Sequence, residues 1–167
     1  IPCYPVVGDQ QAALRGVKLA EGELSLNIST GSQVSLLSRE LVLGDYQTRR
    51  YFGGLHLNTI THLPAGRSLN VLVDLLAELA TAQGVRPAVP WEYIARAAEQ
   101  AADSDLAGDL AFFAGPLGDR GRIEGITLEN LTVGNLFPSA FRAMTENYWT
   151  CATRLSPNRA WRRSTAR

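Results

Sequence analysis

Asp9 stands where a short β-branched run gives way to a helical pattern, in Pro5-Val6-Val7-Gly8-Asp9-Gln10-Gln11-Ala12-Ala13-Leu14. An acidic side chain at such a junction has two uses. It can cap the helix by accepting a hydrogen bond from a first-turn N–H. It can also be a catalytic carboxylate held at a strand end, with Gly8 letting the backbone and a substrate approach closely. The other residues able to do chemistry form weaker patterns. His56 and His62 lie six apart with no third ligand evident, which argues against a metal site. Cys3 and Cys151 are far apart and have no metal-type spacing; they read as a pair of free thiols.

The elements that must position Asp9 follow from periodicity. Cys3–Val7 suits a buried strand, and Asp9–Arg15 a short helix stopped by Gly16. Leu24, Leu26 and Ile28 alternate with polar residues as in a half-buried strand, Val34 and Leu36 continue after a break, and Ser29-Thr30-Gly31-Ser32 reads as the hairpin turn between them. A second strand pair is expected in "RRYFGG" and "LHLNTIT". In "GRSLNVLVDLLAELATAQG", Leu69, Leu72, Leu76 and Leu79 make one helical stripe, with Ser68 as N-cap and Gly84 as the stop. A helix from about Trp91 to Ala102 follows Pro90. "LAFFAG" reads as a strand and "GDRGRIEGITLENL" as loop and strand. In the last and longest helix, Phe137, Phe141, Met144, Tyr148, Cys151 and Leu155 form a core face. Strands early and helices later suggest an α/β layer structure with a mixed sheet.

Composition narrows the function classes. The 167 residues suit one domain with a real core; 46% are hydrophobic and 19% charged. Sixteen basic and sixteen acidic residues cancel, so no net field draws the chain to nucleic acid or anionic lipid. The late cluster of Arg154, Arg159, Arg162, Arg163 and Arg167 reads as a solvated helix end. No apolar stretch is long enough to span a bilayer and no signal-peptide pattern is present, so a cytoplasmic location is expected.

Three motifs in order are specific enough to carry a resemblance: "VVGDQQAAL", the hairpin "NISTGSQVS", and an aromatic strand pair leading into a Gly-containing helix start. Together they resemble the C-terminal domain of the FGGY carbohydrate kinases over about Val6 to Arg163. Gly-Asp-Gln-Gln-Ala-Ala-Leu is close to the form in glycerol kinases, whereas "LNISTGSQ", "RRYFGGLHLNTIT" and "GPLGDRGRIEGITLENLTVGN" look more like sedoheptulokinases. The resemblance implies an RNase H-like domain of the actin and hexokinase type, a mixed β-sheet flanked by helices. It implies phosphorylation of a sugar hydroxyl, that of a ketose such as sedoheptulose, by ATP with Mg2+.

What the resemblance implies for single residues is direct. Asp9 matches the catalytic base, which orients the acceptor hydroxyl towards the γ-phosphate and takes its proton. Gln10 matches a position that contacts the polyol, through an amide that donates and accepts. Thr30 and Gly31 match the hairpin at the nucleotide phosphates, where backbone N–H groups and the Thr30 hydroxyl make an anion-binding concavity. Gly66 falls where the family has a Gly-Gly pair near the nucleotide, with Ala65 in place of the first glycine. Gly118 and Arg120 match a Gly-Glu-Arg element in which Asp119 replaces the glutamate, and a loop salt bridge explains that stretch as well.

The same resemblance sets the expected domain organisation. Residues 1–167 correspond to part of the C-terminal domain of a two-domain kinase, without the N-terminal domain and without the final nucleotide-binding strand and helix. The chain alone is then expected to be inactive, to expose apolar surface and to self-associate, with the sugar, ATP and the N-terminal domain as partners. The competing readings are a non-catalytic binding or regulatory module of the same fold, or a kinase for glycerol, xylulose or gluconate.

Overall fold

A computed structural model describes residues 7–85, 89–158 and 161. The chain divides into two compact units, Ile1–Asn27 with Gln33–Ile60 and Thr150–Arg167, and Ile28–Ser32 with Thr61–Trp149. The strand expected at Cys3–Val7 lies, but for Val7, outside the described residues, as do all the late arginines except Arg154.

The first unit is built on a four-stranded sheet. Helix α1 (Asp9–Gly16) precedes β1 (Leu24–Asn27), β2 (Ser32–Ser38), β3 (Gln47–Arg50) and β4 (His56–Leu63), with strand order β1-β2-β4-β3. The expected hairpin is present: β1 and β2 are antiparallel, from Leu24 opposite Leu36 to Asn27 opposite Gln33. β3 and β4 form the second antiparallel pair, with Gln47 opposite Thr59 and Arg50 opposite His56. Their connection turns tightly through Gly53 and Gly54, at φ 68° and 75°, which only glycine adopts cheaply, and the Tyr51 N–H closes it on Leu55 O at 2.8 Å. Leu14 of α1 packs with Leu37, Tyr51 and Leu57, joined by Leu19 and Leu55. The alternation in β1 does not mark a covered face as expected. Leu26 and Ile28 are exposed, and burial instead concentrates on both faces of β2, which lies between two strands.

The second unit holds α2 (Gly66–Ala82), α3 (Pro90–Glu99), β5 (Ala107–Asp109), β6 (Arg122–Glu124) and most of α4 (Val133–Leu155). Its core contains Leu69, Leu72, Ile94, Leu106, Leu110, Phe137 and Met144, and Trp91 meets Phe137 edge-on at 5.8 Å. Gly134 allows α4 to approach α3, since a β-carbon there would stand 2.7 Å from Ala97 O. The α4 stripe is buried as expected except for Phe141, which is exposed.

Three expectations need correction here. Ser68 is not the N-cap of α2; the helix starts at Gly66, and the buried Ser68 hydroxyl donates to Leu110 O at 2.9 Å. The strand expected in "LAFFAG" lies earlier, at Ala107–Asp109, where it pairs with β6 from Ala107 opposite Glu124 to Asp109 opposite Arg122. The Leu69–Leu79 stripe is covered only in its first half; Leu76 and Leu79 are exposed.

Candidate functional site

In the first unit the helix start that carries Asp9 is fixed without using Asp9. Gly8 is the N-cap, in extended conformation, and its N–H donates to Gln11 Oε1 at 3.1 Å. That is the reciprocal half of a capping box, closed by a residue three positions on. Gln11 Nε2 also donates to Arg50 O at 2.7 Å, which ties the first turn of α1 to the end of β3. Asp9 is therefore the first helical residue rather than the cap. It is solvent-exposed, and its Oδ1 accepts from the Gln10 N–H at 2.7 Å. A carboxylate in the first turn is also favoured by the helix dipole.

Gln10 is half-buried, and its amide is engaged. Nε2 donates to Ser35 Oγ at 2.8 Å, and Ser35 Oγ lies 3.1 Å from Thr59 Oγ1 in a buried pair. Ser35, Thr59 and Gln11 were not singled out from the sequence. The available signals were a hydroxyl set among Val34, Leu36 and Leu37 in a buried strand, and a Gln three residues after a capping glycine. Tyr51, beneath α1, has its phenol pushed up by burial, an effect only partly opposed by the Arg15 guanidinium.

Thr30, Gly31 and Gly66 meet in the second unit. The turn is held from within: Ser29 Oγ donates to Gly31 O at 3.0 Å, and the Ser29 N–H donates to the buried Ser32 Oγ at 3.1 Å. It is joined to the start of α2 by two backbone bonds, Gly66 N to Ser29 O at 3.3 Å and Arg67 N to Thr30 O at 3.2 Å. A β-carbon on Gly66 would stand 3.3 Å from Ser29 O, so the close approach depends on glycine. Two helix-end N–H groups that normally lack intrahelical partners are thus capped by the turn. Thr30 and Gly31 are exposed at its tip, and around Gly31 the space is open. Gly118 closes a tight hairpin with Gly115, while Asp119 and Arg120 are exposed beyond it. Among the described residues no three His, Cys, Asp or Glu side chains are grouped to hold a metal, and no helix is long and apolar enough to cross a membrane.

No protein-family model and no curated protein matches the sequence. Solved structures do match by fold. A xylulose kinase from Rhodospirillum rubrum superposes with a TM-score of 0.74 at 18% identity, covering 90% of this chain and 30% of its own. A ligand-bound xylulose kinase from Lactobacillus acidophilus gives 0.68 at 15%, covering 87% and 30%. A xylulose kinase from Bifidobacterium adolescentis gives 0.59 at 20%, covering 89% and 28%. The chain therefore shares the mixed α/β fold of these structures, and it spans about 30% of the length of these proteins.

Proposed function

We propose that the protein to which this chain belongs transfers the γ-phosphoryl group of Mg-ATP to a hydroxyl of a ketose, with Asp9 as general base. The observation that carries this reading is Asp9 itself. On a fold shared with xylulose kinases, the capping work falls to Gly8 and Gln11, and an exposed carboxylate remains in the first turn of α1. Phosphoryl transfer asks mainly for positioning and charge stabilisation, and a carboxylate accepting the sugar's hydroxyl proton supplies the first.

Gln10 follows as a polyol contact. Thr30 and Gly31, on a turn braced against Gly66, follow as donors to the nucleotide phosphates. ATP and its Mg2+ are substrates here. A fold likeness to xylulose kinases and the sedoheptulokinase-like motifs both favour a ketose, with sedoheptulose and xylulose the first to try.

The test is expression of the full reading frame around the 167 residues, then ADP release with sedoheptulose, xylulose, ribulose, glycerol and gluconate. A ketose is expected to give the highest kcat/KM, and Asp9→Asn to abolish most of it. Turnover of glycerol or gluconate alone would correct the substrate class. A full-length protein that binds a sugar and phosphorylates none would mark a binding module.

A further inference from the structure

Buried hydroxyls at the centre of an apolar strand need a reason. Ser35 is 1% exposed between Val34 and Leu36, and Thr59 on β4 is 5% exposed. Burying a hydroxyl costs free energy unless it is hydrogen-bonded, and alanine and valine would fill the same space without that cost. The two hydroxyls bond to each other at 3.1 Å, and the pair reaches out of the core through Ser35 Oγ, which accepts from Gln10 Nε2 at 2.8 Å. All three residues lie within the first unit, on α1, β2 and β4.

We infer that Ser35 and Thr59 are positioning residues for sugar recognition, setting the orientation of the Gln10 amide; this rests on the proposed role of Gln10 as a polyol contact. A free glutamine side chain loses rotamer entropy when it is ordered. Anchoring Nε2 removes much of that cost before a ligand arrives, the general route by which preorganisation raises affinity. The anchor also fixes which atoms are presented. One N–H is committed to Ser35, leaving Oε1 and the second N–H to meet a hydroxyl that donates and accepts. Because Gln10 N–H also holds Asp9 Oδ1 at 2.7 Å, the anchored residue adjoins the proposed base directly.

The experiment is a double-mutant cycle in the full-length enzyme, with sugar and ATP varied separately. Ser35→Ala and Thr59→Val are expected to raise the sugar KM roughly three- to ten-fold, as for one lost neutral hydrogen bond, while the ATP KM stays unchanged. Thr59→Ser, which keeps the hydroxyl, should restore it. In a Gln10→Ala background Ser35→Ala should add nothing, because the group it positions is gone. An equal effect of Ser35→Ala in both backgrounds, or a loss of kcat and ATP affinity in step with sugar affinity, would overturn the inference and leave a packing role.

A second readout does not require kinase activity. The Gln10 side-chain amide NMR signals of the full-length protein, assigned by their loss in Gln10→Ala, should shift to free-glutamine positions in Ser35→Ala. If no sugar is phosphorylated but the signals shift, the proposed function falls and the anchor stands. If they already sit at free-glutamine positions in the parent protein, the anchor falls.

Discussion

Asp9 and Gly66 were legible in the sequence as special positions, but for different physical reasons than their neighbours suggested. A Gly-Asp pair before a helix reads first as a cap, yet the cap is Gly8 with Gln11 returning to its N–H. Asp9→Asn should therefore leave thermal stability within about 0.5 kcal/mol, as for a surface substitution. It should lower kcat of the full-length enzyme about a hundred-fold or more if the carboxylate is the general base, and leave the ATP KM unchanged. Steady-state kinetics beside a melting curve separates the two effects; near-normal turnover would remove Asp9 from catalysis. Thr30→Ala should do the reverse, weakening ATP more than sugar. Cys151 gives a prediction in pH. It is fully buried, and burial pushes its thiol up from the ordinary 9.0, with Arg154 opposing in part. The unfolded thiol releases its proton near that ordinary value while the folded one retains it. The native state thus binds more protons, and stability falls as pH rises above about 9 towards the folded value. Below 9 this contribution is flat. Urea midpoints from pH 7 to 10 should show the decline, and Cys151→Ala should reduce its slope.

Elements were read well where local pattern decides, and poorly where a distant backbone group does. The α2 period, its length and its Gly84 stop all follow from residues within the helix: Gly84 sits at φ 79°, its N–H returns to Thr81 O at 3.0 Å, and Val85 N returns to Ala80 O at 2.8 Å. Its start does not fall where a serine N-cap would place it, because the actual caps are the carbonyls of Ser29 and Thr30, each 37 residues before the N–H it accepts from. The strand expected in "LAFFAG" fails for a related reason. Leu110 is buried as core, but its carbonyl accepts from the Ser68 hydroxyl and the Phe112 N–H rather than from a neighbouring strand. Ser68→Ala should consequently cost about 1 kcal/mol, as for one lost neutral hydrogen bond, because Leu110 O keeps the Phe112 N–H at 2.7 Å. A contrast between two glycines checks the backbone argument. Gly84→Ala forces a side chain into a left-handed conformation and should destabilise by about 1 kcal/mol or more. Gly16→Ala, with no positive φ and no atom within 4 Å of the new β-carbon, should be neutral or stabilise by about 0.4–1 kcal/mol. Paired urea titrations would read both, and the same sign at the two positions would contradict the structure.

For the molecule as a whole, the class of fold was legible because three motifs recur in one order, while its uncovered surface could only be expected in outline. That surface can now be located. On α2, Val71, Leu75, Leu76 and Leu79 are exposed, Leu75 at 62% and Leu79 at 77%, and Val71, Leu75 and Leu79 follow one another at steps of four. Steps of four place them in a single row along the helix, a contiguous apolar strip and not scattered single residues. Asp74 and Glu78 lie on the helix beside this row, and both are exposed. Strips of this kind drive association, because each leucine removed from water contributes up to about 1.5–3 kcal/mol. The 167-residue chain should therefore sediment as a concentration-dependent mixture of monomer and larger species at neutral pH, where its formal net charge of +0 offers little repulsion. The double variant Leu75→Lys/Leu79→Lys should shift it to monomer. Lysine is close to leucine in helix propensity, so circular dichroism should show the same helical content and the change cannot be charged to unfolding. A parent chain that stays monomeric at every concentration, or a variant that associates as strongly, would mean that the α2 strip does not drive self-association and that the charge-neutral remainder of the surface must be searched instead.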